Sequence, residues 1–118
     1  FCKKNMDLDK THRIIKFTRK LNIKMHLTFC LGLPCETKQT IQETIHFIQD
    51  TAPESFQFSF ATPFPGTEYF KYAKDKGLLL SEDWSDYDGN YKCIINTGEL
   101  TNEDLERIRV DLNNKLEI

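Results

Sequence analysis

The sequence has no long apolar run, little glycine and no excess of charge of either sign. No stretch approaches the ~18 apolar residues that a bilayer-spanning helix needs, which excludes a transmembrane helix; no membrane partner is expected. With 16 Lys+Arg against 18 Asp+Glu the formal net charge is −2. That balance excludes a generic nucleic-acid binder, whose surface is basic. There is no G-x-x-x-x-G-K-[ST] loop and no G-x-S-x-G elbow, so nucleotide hydrolysis and esterase chemistry have no motif here. Metal-ligand cysteine spacing is lacking too: Cys2, Cys30, Cys35 and Cys93 make neither paired C-x-x-C spacings nor a close triplet, so the chain is expected to build no metal site by itself. Nothing else reads as secreted, and the even count is taken as reduced thiols in a cytoplasmic chain rather than two disulfides. What is present is 118 residues, 39% hydrophobic and 29% charged, an ordinary globular composition with the length of one domain at most. The first residue is Phe rather than Met, which reads as a piece of a longer protein.

Hydrophobic spacing divides the chain into alternating elements. Asp7 to Leu21 reads as a helix: Ile14, Ile15, Thr18 and Leu21 form a stripe with Phe17 beside it, Asp7 or Asp9 caps the start, and Asn22 suits the exit. Lys24 to Leu31 alternates, Met25, Leu27, Phe29 and Leu31 against His26, Thr28 and Cys30, as a strand does. Gly32-Leu33-Pro34 ends it. Thr37 caps a second helix, about Lys38 to Asp50, with Ile41, Ile45 and Ile48 on one face and Pro53 beyond its end. Ser55 to Ala61 is a second strand, Phe56, Phe58 and Phe60 against Gln57, Ser59 and Ala61, ended by Thr62-Pro63-Phe64-Pro65-Gly66. Thr67 caps a third helix closed by Gly77. An irregular acidic stretch follows, then a short strand expected at Tyr91 to Ile95. Thr101 and Asp104 spell a capping box before a last amphipathic helix through Leu105, Ile108, Leu112 and Leu116.

This order is that of parallel βα units, giving an α/β fold. Both strands carry large residues on one face and smaller polar ones on the other, which suits a barrel or half-barrel whose polar face lines a lumen. Two parallel strands leave exposed edges that seek more strands. The chain is therefore expected to be part of a larger α/β barrel, or to self-associate. Function in such barrels sits at the carboxyl ends of the strands. Here those ends are the loops LGLPCET (Leu31 to Thr37) and TPFPGTE (Thr62 to Glu68).

With the helix PFPGTEYFKYAKDKG at Pro63 to Gly77 and the stretch DWSDYD at Asp83 to Asp88, the two loops resemble the radical S-adenosylmethionine (SAM) enzymes. The resemblance is to the cobalamin-domain branch typified by anaerobic magnesium-protoporphyrin monomethyl ester cyclases, and it covers nearly the whole chain. It implies the C-terminal portion of a partial (β/α)6 barrel, parallel strands with covering helices. Residues 1–77 would be the βα units, and 78–118 a C-terminal extension with the acidic loop and final helix. By position, Thr28, Cys30 and Gly32 take the places of the family's G-x-I-x-G strand motif, with only Gly32 identical, and Glu36 matches the acid that follows. Phe60, Ala61 and Thr62 stand where the family's sixth strand meets the adenine edge. These seven residues are the implied cofactor-binding set; no catalytic and no metal-binding residue is implied. The parent would use SAM and a [4Fe–4S] cluster, with cobalamin open, to abstract hydrogen from a small-molecule substrate that the sequence does not identify. The C-x-x-x-C-x-x-C triplet that holds the cluster is absent, so the chain alone is expected to be inactive.

Cys35 replaces the second Gly of the family's G-L-P-G-E-T loop. If that backbone needs a positive φ, the Cys costs about 1 kcal/mol or more. Plainer readings stand beside these. Cys30 is more often a small core residue than a ligand contact, and His26 a satisfied structural histidine rather than a base. Glu36 either holds a ligand or favours the helix dipole. Asp83, Asp86, Asp88 and Asn90 look like a calcium loop, but Tyr91 stands where its glycine belongs; a solvated acidic loop is the simpler reading, with Trp84 and Tyr87 anchoring it. From another class, the chain could be a non-catalytic α/β binding or interaction module.

Overall fold

The computed structural model describes residues 6–116, so Cys2 lies outside the described residues. The elements are α1 (Leu8–Lys20), β1 (His26–Leu31), α2 (Lys38–Thr51), β2 (Ser55–Phe60), α3 (Glu68–Asp75) and α4 (Asn102–Lys115), with a single 3₁₀ turn at Trp84–Asp86. The architecture is α/β: two parallel strands and four helices.

The strands pair in register from His26 opposite Ser55 to Leu31 opposite Phe60. The ladder runs on at both ends, through Ser55 N–H to the Met25 carbonyl at 3.3 Å and Ala61 N–H to the Leu31 carbonyl at 2.7 Å. One face is apolar, with Leu31, Phe58 and Phe60 buried and Phe29 stacked 5.5 Å from Phe58 and 6.1 Å from Phe47 of α2. The other face leaves His26, Thr28, Cys30 and Gln57 exposed and Ser59 half-buried. Glu54, next to β2, accepts the Met25 N–H at 2.7 Å and ties the two strand starts together; this bond is the main reason its carboxyl lies below the usual range.

Each helix starts where a side chain meets otherwise unpaired N–H groups. Asp7, Thr37, Thr67 and Thr101 are the N-caps, and Thr37/Thr40 and Thr101/Asp104 close full capping boxes. Asn22 takes φ +57°, as its place at the exit of α1 requires. Arg19 of α1 reaches the carbonyls of Thr51 and, at 2.9 Å, Ala52, placing a cation on the C-terminal end of α2 where the helix dipole favours it.

Three expectations are corrected. In α1 only Ile15 is buried; Ile14, Phe17 and Leu21 are 54%, 63% and 55% exposed. Periodicity marks the face that needs cover, not whether cover is present. Second, Tyr91 to Ile95 is not a strand. Cys93, Ile94 and Ile95 are buried, but they share one antiparallel bridge, Leu79 with Ile95. The Cys93 N–H goes to the Glu106 carboxylate at 2.9 Å instead of to a neighbouring strand. Third, Cys30 is not in the core: its side chain is exposed, as is that of Cys35, and of the described cysteines only Cys93 is buried. Cys30 sits on the polar face of β1, which the described residues leave exposed.

Candidate functional site

Parallel pairing places both proline loops at the same end of the molecule, since β1 runs into one and β2 into the other. The first loop turns on Gly32 at φ +86° and Cys35 at φ +70°, closed by Glu36 N–H to the Leu33 carbonyl at 3.0 Å. Cys35 thus occupies the left-handed backbone that favours glycine. The Glu36 carboxylate folds back over its own loop, accepting the Gly32 N–H at 3.3 Å and the Thr40 hydroxyl. Its carbonyl accepts from the Thr97 hydroxyl at 3.1 Å. The second loop is held by Phe64 N–H to the Thr62 carbonyl at 3.0 Å and by the Thr67 hydroxyl on the Phe64 carbonyl at 2.6 Å. The two loops are joined directly: the Tyr69 hydroxyl, from the first turn of α3, donates to the Gly32 carbonyl at 3.1 Å.

The seven residues singled out from sequence fall into three settings. Thr28 and Cys30 present exposed side chains on the polar face of β1. Gly32 and Ala61 are buried and Thr62 half-buried at the strand ends, with Glu36 bracing the first loop. Phe60 points the other way into the core, where the Arg109 guanidinium lies 5.4 Å from its ring centre. Gly32 is also covered from the chain beyond α3: a Cβ there would meet Leu105 Cδ1 at 3.1 Å and Ile95 Cγ2 at 3.6 Å. His26 is a satisfied histidine, its Nδ1 2.7 Å from the Ser55 hydroxyl.

Beside the second loop stands an aromatic series. Ring centres are 6.3 Å apart for Phe64 and Tyr87, 5.2 Å for Tyr87 and Trp84, and 6.5 Å for Trp84 and Phe70. Tyr87 is anchored, its hydroxyl 2.8 Å from the Ser81 carbonyl, and burial raises its phenol above the ordinary value. Trp84 is 60% exposed, so Tyr87 rather than Trp84 fastens the acidic stretch. The acids there serve local structure. Asp88 accepts the Asn90 and Tyr91 N–H groups at 2.6 and 2.8 Å, and Asp86 takes the Ser81 hydroxyl at 2.7 Å and Lys92 at 3.0 Å. These bonds hold both carboxyls below their usual range. Among the described residues no three His, Cys, Asp or Glu side chains gather as metal ligands, and no helix is long and apolar enough to cross a membrane.

Tyr69, Thr40 and Thr97 were missed from sequence. Tyr69 lies inside the PFPGTEYF stretch, so its proximity to the loops was available; its partner was not. Thr97 reaches Glu36 across 61 positions, for which no local pattern exists.

No protein-family model matches the chain. Among curated proteins it is 34% identical over 73 residues to an uncharacterised methyltransferase of Pyrococcus horikoshii, covering 62% of this chain and 16% of that protein. It is 31% identical over 98 residues to the bacteriochlorophyllide d C-12(1)-methyltransferase of Chlorobaculum tepidum, covering 83% and 21%. It is 33% identical over 73 residues to the anaerobic magnesium-protoporphyrin IX monomethyl ester cyclase of Cereibacter sphaeroides, covering 62% and 12%. The chain thus spans about a fifth or less of each of these relatives.

Proposed function

We propose that this chain is a C-terminal portion of a radical SAM barrel enzyme, contributing one wall of the SAM adenine pocket and part of the substrate cavity. The observation that carries it is the joined pair of proline loops at the carboxyl ends of adjacent parallel strands, locked by Tyr69 on Gly32. The similarity to methyltransferases and to the cyclase supports a parent enzyme acting by methyl transfer or cyclisation. The rest of the barrel is its partner, supplying the strand that pairs with the open edge of β1.

The residues fit an adenine edge in part. Thr28 and Cys30 offer exposed polar side chains, and Ala61 and Thr62 offer backbone at the rim. The polar atoms of Gly32 are already taken by Glu36 and Tyr69, and its Cα is open to a nucleoside only where Leu105 and Ile95 draw back. Glu36 acts here as a brace that keeps the loop in shape. A [4Fe–4S] cluster does not fit on the described residues, which offer no ligand triplet. When bound elsewhere in the parent, SAM and the cluster would supply the radical chemistry; this chain would position the nucleoside.

The test is the reading frame upstream of Phe1. Cysteines in C-x-x-x-C-x-x-C spacing about 100–170 residues before it, at ~30 residues per βα unit, are expected. Their absence would favour a non-catalytic binding module. SAM titrated into the chain alone is expected to bind weakly or not at all, and micromolar affinity would overturn the half-pocket.

A further inference from the structure

Two exposed surfaces carry opposite charge around an apolar centre. The first is the outer side of α1. Residues 10–24 hold six bases and no acid. Arg19 is turned onto the carbonyls at the end of α2. Lys10, Arg13, Lys16, Lys20 and Lys24 are exposed and make no ion pair with a described residue. Among them Ile14, Phe17 and Leu21 are each more than half exposed. Arg13, Phe17 and Lys20, at i, i+4 and i+7, share one side of the helix, so two cations flank the ring. The second surface lies beyond α3, where residues 78–88 hold four acids and no base. A cavity of about 380 Å³ opens there between Leu79, Leu80, Ser81, Glu82 and the Lys74 side chain. Leu80 is 47% exposed at it, and Trp84, two residues past Glu82, is 60% exposed. Glu82 holds Lys74 at 2.8 Å with both side chains more than half exposed, a surface pair that contributes little and is readily shared with another cation.

We propose that α1 of one copy of this chain docks on the acidic surface of a second copy, Phe17 entering the cavity beside Leu80 while Arg13 and Lys20 meet Glu82 and Asp83. The apolar centres supply the attraction, and the charges select the pairing: α1 against α1 sets cation on cation, and the acidic surface against itself sets carboxylate on carboxylate. The two surfaces differ, so a docked pair still offers one free α1 and one free cavity, and the assembly grows with concentration. The contact weakens with salt, unlike pairing through the open edge of β1, whose backbone hydrogen bonds carry no net charge. None of the seven residues set against the nucleoside takes part, so the contact stands or falls independently of the SAM reading.

The test is sedimentation velocity of the full chain carrying Thr28→Lys, which closes the β1 edge to pairing. Association is expected at low salt and should weaken about tenfold or more between about 0.01 M and 0.5 M salt. Trp84 is the single tryptophan, and its emission should move to the blue as the copies meet. Phe17→Ser should weaken association about tenfold, as loss of a buried aromatic anchor predicts. The decisive step is a mixture. Arg13→Glu with Lys20→Glu in one chain, and Glu82→Lys in another, change only exposed positions. Each variant alone should lose most of its self-association, and the two mixed should form a complex, since each now complements the other. The proposal is overturned by a monomer at low salt, by association indifferent to salt or to either variant, or by a mixture that forms no complex. A monomer that instead pellets with phosphatidylglycerol vesicles through Arg13 and Lys20 would also overturn it, giving α1 to an anionic lipid surface.

Discussion

Cys35 and Cys93 show how one residue type meets opposite constraints. Cys35 sits at φ +70°, where a side chain is strained. Cys35→Gly should stabilise the chain by about 1 kcal/mol, a rise of roughly 4 °C in Tm by calorimetry; an unchanged or lower Tm would show the loop is not strained there. Cys93 is buried, and burial first, with the nearby Glu106 charge adding to it, pushes its thiol from 9.0 up to about 11. Below pH 9 folded and unfolded chains both hold the proton, and the preference of the core for the neutral thiol contributes in full. Between pH 9 and 11 only the unfolded chain ionises, so stability falls across that window. Denaturant midpoints measured against pH should show this slope, and Cys93→Ala should flatten it. Under native conditions iodoacetamide should label Cys30 and Cys35 well before Cys93.

At the scale of elements, the loops are positioned by bonds between segments more than by their own sequence. Tyr69→Phe removes the link from α3 to the Gly32 carbonyl and should cost about 0.5–1.5 kcal/mol, read as a lower urea midpoint. Gly32→Ala should cost more than that. It places a Cβ in a left-handed backbone and 3.1 Å from Leu105 Cδ1, two independent penalties. The reciprocal change, Leu105→Ala, empties a fully buried site and should cost about 2–5 kcal/mol; the pair should be non-additive in a double-mutant cycle because the residues touch. Capping was legible in advance at this scale, because Thr37, Thr67 and Thr101 satisfy the helix N–H groups beside them and need no distant partner. The Tyr91 to Ile95 stretch was not legible. Its apolar content demanded burial, but Glu106 took the N–H that a strand neighbour would have used.

For the molecule as a whole, β1 has a single strand partner among the described residues. A groove of about 450 Å³ lined by Leu27, Phe29 and Phe47 runs along its other side with Met6 and Leu8 of the first segment. An edge of this kind templates pairing. Sedimentation of the isolated chain in high salt, which screens the α1 contact, is expected to show concentration-dependent self-association. Thr28→Lys on that strand should suppress it, as should joining the chain to its upstream barrel strands. A monomer at all concentrations would show that α1 and its neighbours already protect the edge.

The sequence alone determined the order of the four helices and two paired strands, three of the helix caps, the alternation of both strands and the motif resemblance, because each rests on neighbours within a few positions. It left the start of α1 open between Asp7 and Asp9 and could not say that Ile14, Phe17 and Leu21 stay uncovered. Only the tertiary structure decided that the strands are adjacent and parallel, that Tyr69 and Glu36 share Gly32, and that Arg109 lies over Phe60. Those facts are pairings between residues far apart in the chain, and a hydroxyl, a carboxylate or a guanidinium carries no mark in the sequence of which distant group it will meet.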